Sequence, residues 1–394
     1  MKQSPLLPIF LIVLVDILGL TIMLPLLPFY AEHLGASATV IGMLTSSYAL
    51  CQLVAGPILG KLSDRMGRKP LLIVSQVGTL IGFLILAASN SLWLVFLSRI
   101  IDGLTAGNLS LAQAYIADVT EPENRAKSFG VIGIAFGIGF LIGPGISGYL
   151  SQFGYAWPIL AAAFLSASSI VCTATLLPRV EPHTEDAGSG PGGKRLGILD
   201  WKGYAQYFGN PNLGPLLWQF FFFAFSFSFL ITGFALFSER RLRMGPKEVG
   251  YVFAWVGFLG IILQGGLIGR LVKWLGERTL VWTGFLVSAT SAAWLSTVHT
   301  LPQMLANATY GAYGNGVIRP AITALISHKA GRREQGVVLG LTQSITSVCQ
   351  IIAPIIAGAL IDRGFLAAWA LTGGAVAFCG MIAALRFKDA GVVA

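Results

Sequence analysis

The sequence predicts an all-α polytopic membrane protein with twelve transmembrane helices in two pseudo-symmetric six-helix halves. Three observations predict it: composition, the spacing of apolar runs, and an internal repeat. The 394 residues are 55% hydrophobic and only 11% charged, and the mean hydropathy is +0.75. A soluble domain carries about 25% charged residues. The 48 glycines and 18 prolines are tolerated in membrane helices, where neighbouring helices satisfy freed backbone groups.

A spanning helix needs about 20 mostly apolar residues. Twelve segments qualify: 6–30, 38–60, 71–90, 92–118, 126–150, 155–177, 213–239, 247–272, 279–298, 301–327, 335–361 and 365–386. The first follows Lys2 as a signal peptide would. No small-residue cleavage site interrupts it before Tyr30, so it reads as a retained helix. Most connections are very short. The exception, 178–212, holds an acidic run and a Gly/Ser/Pro-rich piece, and reads as a linker between a 1–177 half and a 213–394 half. Its stretch Leu199–Tyr204 reads as a short interfacial helix with Trp201 and Tyr204 at the headgroups.

The net charge of +9 would suggest nucleic acid in a soluble protein. Here the charges sit in short loops and act as a topology signal. With the N-terminus inside, 19 Lys and Arg fall in cytoplasmic segments and 5 in outer loops. That bias places both termini and the linker in the cytoplasm. Cys51, Cys172, Cys349 and Cys379 lie in apolar runs without metal-ligand spacing, and read as small buried hydrophobes. No metal site is expected.

The halves repeat. A shift of 210 residues brings Gly143-Pro144 onto Ala353-Pro354 and Gly148 onto Gly358; a shift of 209 brings Gly60 onto Gly269 and Gly67 onto Gly276. Two parallel six-helix repeats with a site between them describe a transporter architecture.

Four motifs make the reading specific. The first is Gly60-Lys61-Leu62-Ser63-Asp64-Arg65-Met66-Gly67-Arg68-Lys69, a charged hairpin between the second and third helices. The others are Asp16, Gly19, Pro25 and Pro28 in helix one; Arg99 to Gly103 in helix four; and Gly139-Phe140-Leu141-Ile142-Gly143-Pro144-Gly145-Ile146-Ser147-Gly148 in helix five. On these the chain resembles the major facilitator superfamily, and within it the tetracycline-efflux-like, twelve-helix drug:proton antiporters. Ser147 stands where that helix-five pattern has a glycine. The resemblance implies proton-coupled export by a monomer in the bacterial inner membrane, with the proton gradient as energy source and no cofactor. It further implies that Arg99 serves proton transfer and that Gly139, Gly143, Pro144 and Gly148 seal against leak. Helices three and nine lack Asp and Glu, unlike tetracycline exporters. Lipophilic or amphiphilic molecules are therefore the broader expectation, ahead of a metal-chelated tetracycline.

Only Asp16, Arg99, Asp102 and Arg319 are ionisable and well inside helices. A charge at mid-membrane costs at least ~2.5–3.5 kcal/mol, so each is a functional candidate. Asp16 has apolar neighbours that favour its neutral form, as a proton carrier needs; a structural carboxylate satisfied by hydroxyls is the plainer alternative. Arg99 and Asp102 are three apart and share a helix face, as an internal ion pair or a switch released by protonation. Arg319 reads as attracting an anionic substrate, as partner to Asp16 or Asp102 across the halves, or as bound to backbone carbonyls. Asn108, Gln113, Gln219, Phe223 and Asn315 are the candidate lining of the substrate cavity, beside Arg319.

At the cytoplasmic face, Asp118 is expected to meet Arg65 or Arg68. Asp64 is expected to cap helix eleven near Gln335 and Gly336. Together they would latch that side shut. The helix-five glycines are expected against Gly257, Gly260, Gly265 and Gly269 of helix eight. Gly143 to Gly148 fits G-x-G-x-x-G, but no strand precedes it, so it is no dinucleotide site. The sequons at Asn108 and Asn307 lie in or near helices, away from glycosylation. A Walker A sequence is absent, which argues against ATP coupling, and no catalytic constellation is visible. Export of a metabolite or siderophore, or sugar-type facilitation or symport, is the alternative transport reading; a non-transporting receptor or scaffold is the third class.

Overall fold

The computed structural model describes residues 6–119, 125–178, 201–330 and 335–387. All its regular elements are helices. The first half runs α1 (Leu6–His33), α2 (Ala38–Met66), α3 (Arg68–Ala87), α4 (Leu92–Leu104), α5 (Asn108–Val119), α6 (Arg125–Leu150) and α7 (Ala156–Leu176). After the connecting stretch come α8 (Trp201–Phe208), α9 (Gly214–Leu242), α10 (Pro246–Ile261), α11 (Ile268–Leu295), α12 (Leu301–Lys329), α13 (Gln335–Asp362) and α14 (Leu366–Arg386). Helices are what a bilayer permits, because each backbone group must be satisfied within its own segment.

Ten stretches of the described residues are long and apolar enough to cross a membrane. One of them, Pro246–Leu295, is 50 residues long and holds both α10 and α11. The polar α12, with Asn307, Asn315 and Arg319, is not among the ten. The twelve spans are α1, α2, α3, α4 with α5, α6, α7, α9, α10, α11, α12, α13 and α14.

Three local features depart from the sequence reading. The charged hairpin is hardly a loop. α2 continues to Met66, α3 starts at Arg68, and Gly67 alone turns the chain with φ 92° and ψ 153°. Its repeat partner Gly276 does the same inside α11, with φ 75° and ψ 155°. Both lie in a region costly to a residue with a Cβ. Second, segment 92–118 is two helices. The break at Thr105–Gly107 is satisfied by Ser75 of α3, whose hydroxyl donates to the Thr105 carbonyl and accepts from the Gly107 N–H at 2.9 Å. Gly78 leaves room there, since a Cβ on it would strike the Thr105 side chain. Third, the cysteines are not uniformly buried: Cys349 is, Cys51 and Cys172 are partly so, and Cys379 is exposed.

The packing repeats as the sequence does. α1 packs on α6 and α7, as α9 packs on α13 and α14; α3 packs on α7, as α11 packs on α14. Between the halves, α2 lies along α13 and α6 along α10. Their closest approaches are also related by the repeat. A Cβ on Gly42 would strike the Pro354 carbonyl, and one on Gly250 the Pro144 carbonyl. Small residues drive such association in lipid, where apolar burial alone gives little.

These contacts sit at the end away from the termini, hereafter the far end. One apolar cluster there joins Ile22, Leu26, Ile41 and Leu44 to Phe229, Phe237, Ala353, Ala357 and Trp369. Toward the termini the clusters are separate. One holds Ile9, Val13, Leu59, Leu71 and Tyr115; the other holds Leu213, Leu217, Phe220, Phe285 and Ile326.

Candidate functional site

The break between α4 and α5 builds the site. It sets Asn108 at the start of α5, where its Nδ2 donates to Asp16 Oδ1 of α1 at 2.5 Å. On the preceding turns, Arg99 Nη1 lies 3.4 Å from Asp102 Oδ2. Arg99 and Asp102 are each only 6% exposed. Thr79 of α3 is hydrogen-bonded to Asp102, and the Arg99 guanidinium carbon lies 6.0 Å from the centroid of the Phe83 ring, within cation–π range. Gly82 and Gly103 let α3 and α2 close on α4: a Cβ on Gly82 would press on Asp102, and one on Gly103 on Cys51 and the Tyr48 backbone. Tyr48 stands within electrostatic range of Asp16, Asp102 and Arg99.

Two carboxyl groups and one guanidinium therefore lie near one another in an apolar bundle. The Arg99 charge goes to Asp102, while Asp16 has a hydrogen bond and no counter-charge within salt-bridge distance among the described residues. Two buried polar atoms of this group lack a partner among the described residues, Arg99 Nη2 and Asn108 Oδ1. The second is an acceptor on the same amide that donates to Asp16. A proton on Asp16 would let it donate there and complete a paired acid–amide contact.

α6 carries the glycine-rich motif past this site. A Cβ on Gly139 would strike Ile17, and one on Gly143 would strike Thr21, both on α1. Thr21 Oγ1 donates to the Gly139 carbonyl at 2.9 Å. Pro144 and Gly148 face Gly250, and Gly145 and Gly137 face Ala254 and Ile261. The expected pairing with helix eight holds for only part of the motif. Gly257 meets Phe140, whereas Gly260, Gly265 and Gly269 face open space. One face of α6 touches the Asp16 helix and another touches the second half.

At the termini end, Arg68 uses all three guanidinium nitrogens. Nη2 meets Asp64 at 2.6 Å, Nε meets Asp118 at 2.8 Å and Nη1 meets Ser63 Oγ at 2.6 Å. The ends of α2, α3 and α5 are tied by one side chain. Lys69 donates to the Ala174 and Leu177 carbonyls, a cation at the C-terminus of α7. Arg65 is exposed, and Gly60 faces open space. Asp64 thus spends a carboxylate oxygen inside its own half. The side chain of Gln335, the burial of Gly336 and residues 331–334 lie outside what is described, as do the linker residues 179–200. In the second half the equivalents of Arg68 and Asp118 are Glu277 and His328, 3.4 Å apart with the order of charge reversed.

The cavity candidates divide. Asn108 is a correction: it is buried and committed to Asp16 rather than lining a cavity. Gln219 and Phe223 are buried in α9, with Gln219 Nε2 unpartnered. Gln113, Asn315 and Arg319 are exposed. Of the three readings of Arg319, the ion pair with Asp16 or Asp102 is corrected, since among the described residues none forms. An exposed arginine at mid-span facing lipid would be costly, so a watered recess is the tolerable surrounding. The sequence reading missed Thr79, Tyr48 and Thr21. Their only signal was polarity within an apolar run.

The profile of the Major Facilitator Superfamily matches residues 9–354 and 267–392. The chain belongs to that superfamily. It is 29% identical over 353 residues to the class B tetracycline resistance protein of Escherichia coli, covering 88% of this chain and 85% of that one. It is equally 29% identical over 349 residues to multidrug resistance protein 1 of Bacillus subtilis (strain 168), covering 88% and 86%. The crystal structure of the nucleoside transporter NupG superposes with a TM-score of 0.77 at 13% identity, over 98% of this chain and 100% of that one, which speaks to fold alone. The superfamily member described here is a multi-pass membrane transporter and not an enzyme.

Proposed function

We propose that this protein exports lipophilic or amphiphilic small molecules in exchange for protons, by alternating access, as a monomer without a bound cofactor. The relatives named for tetracycline and multidrug resistance support the substrate class. The observation that carries the proton reading is the unpartnered acceptor Asn108 Oδ1 beside Asp16. A proton on Asp16 fills it and removes the buried charge. A charged Asp16 leaves it empty and repels Asp102. Binding and loss of the proton thereby redistribute contacts among α1, α4 and α5. α6, packed on both α1 and α10, carries that change toward the second half.

The Lys and Arg bias argues for termini and linker in the cytoplasm of a bacterial inner membrane. In that orientation the joined far end faces outside, and the separate clusters flank an inward-open cavity. The Arg68 tie holds its own half together whichever end opens. It is an internal brace rather than the sole latch between halves.

The test is flux in proteoliposomes under an imposed pH gradient. Asp16→Asn is expected to fold and to lose proton-driven efflux; retained efflux would sink the reading. A second reading, export of an anionic metabolite, is favoured by Arg319 and Asn315 exposed one turn apart on α12. It predicts that Arg319→Gln abolishes flux of anions and spares neutral amphiphiles.

A further inference from the structure

A second group of carboxyls lies at the far end, remote from Asp16. Glu32 ends α1 in the first half and Glu239 lies in the last turns of α9 in the second. The two side chains line one pocket and lie within interaction range of each other across the halves. Two ionised carboxylates so placed repel, and a proton held by one of the pair turns the contact into a hydrogen bond. An independent observation agrees. Glu32 Oε2 and Glu239 Oε2 are both buried and neither meets a donor among the described residues. A single proton between the side chains supplies the missing hydrogen.

We propose that Glu32 and Glu239 form a proton-binding site shared between the halves, and that its proton fastens the far end of the bundle. This rests on the alternating-access reading but not on Asp16. The surroundings fit. Arg240 Nη2 lies 3.4 Å from Glu32 and 3.8 Å from Asp362, and its Nη1 donates to the Ile361 carbonyl at 2.6 Å. Asp362 caps α2 of the other half through the Ala38 and Thr39 N–H groups, at 2.7 and 2.8 Å. The far end is thus closed by one guanidinium, one cap and one shared proton, all crossing between α1 or α2 and α9 or α13.

The other ionisable groups nearby are already engaged or lie on the rim. Tyr155, just before α7, faces both glutamates, and its ring lies tilted against those of Tyr30 and His33. Arg241 holds the Ser296 and Val298 carbonyls. Lys247 donates to Gln152, and Glu248 caps the Gly245 N–H. Arg243 lines the same pocket of about 560 Å³ as Glu32, Glu239 and Arg240. That pocket opens to solvent and gives the proton its path. The proton comes from and returns to water, and no other bond changes. On its loss, Glu32, Glu239 and Asp362 all carry charge around Arg240. The repulsion acts across the interface, so this end parts.

The experiment uses the full chain in nanodiscs, with the four cysteines replaced by serine and spin labels at Asn90→Cys and His299→Cys, one far-end turn in each half. All variants also carry Asp16→Asn, which removes the other proton site. From about pH 5 to about pH 9, a range that brackets a shared carboxyl proton, the label distance is expected to shift to longer values. Glu239→Gln, which keeps a donor at all pH, is expected to hold the short distance throughout. Glu32→Gln is expected to do the same and stands in if the first variant folds poorly. A pH-independent distance with both glutamates present would overturn the proposal. So would an undiminished shift in both glutamine variants. Efflux by Asp16→Asn would sink the earlier reading while leaving this result intact.

Discussion

The two halves share a skeleton and differ in chemistry. Gly67 and Gly276 turn the chain with nearly the same backbone angles, and Gly42 on Pro354 mirrors Gly250 on Pro144. Yet the first half gathers buried Arg99 and Asp102 beside half-buried Asp16. A shift of 210 residues lands these on Ser226, Thr309 and Ala312. Backbone positions that set helix approach have kept their type in both copies. Ionisable positions have not, because a buried charge is costly and is tolerated only where it has work to do. The mid-bundle ionisable cluster therefore belongs to one half, with the other bearing the exposed Asn315 and Arg319 face.

Substitutions at matched positions would break or sharpen this comparison. The largest contrast is Asp16→Asn against Ser226→Ala. The first is expected to cut pH-driven efflux in proteoliposomes at least about a hundredfold, within the range for loss of a proton-transferring group. The second loses a hydrogen bond to the Gly373 carbonyl and costs about 1 kcal/mol of stability, with flux little changed. Equal losses would mean that the chemistry is as symmetric as the skeleton.

Next come Gly42→Ala and Gly250→Ala. Each drives a methyl into a proline carbonyl across the interface, so each is expected to destabilise the joined far end by roughly 1–3 kcal/mol. Crosslinking or spin-label distances at that end should show both variants widened alike. A response in one variant only would deny that the seal is two-fold.

Arg68→Ala against Glu277→Ala follows. Arg68 ties three helix ends while 13% exposed at its side chain. Its removal leaves Asp64 and Asp118 facing without their cation, and roughly 2 kcal/mol is expected, between the surface and buried cases. Glu277 meets a His328 side chain that is 69% exposed, so its loss should stay within about 1 kcal/mol. Thermal melting in detergent separates the two. The last contrast is expected to vanish: Gly67→Ala and Gly276→Ala should each cost about 1–2 kcal/mol through positive φ, read by the same melting curves.

Much of the fold was legible in the sequence, since apolar runs, glycine corners and the repeat are local signals. The Arg68–Asp118 contact was among the expected pairings, because the hairpin and the end of helix four both sit at the same membrane face. Asn108 was misread for a physical reason. Periodicity gave one helix over 92–118, and a continuous helix would have turned Asn108 elsewhere. The break depends on Ser75, a residue of another helix that supplies the hydrogen bonds. Glu32 and Glu239 went unread because each stands at a helix end, where a lone carboxylate has no cost and no apparent message.

What the sequence by itself determined was the one-dimensional order: which stretches cross, where they turn, how two copies repeat, and which few charges lie in apolar surroundings. A bilayer enforces that order, since about 20 apolar residues must be helical to cross it. Only the tertiary structure decided which polar groups meet. Asp16 and Asn108 are 92 residues apart, and Glu32 and Glu239 belong to different halves. Such meetings depend on helix rotation, on breaks and on glycine-sized approaches. These are properties of packed pairs, which no single segment carries.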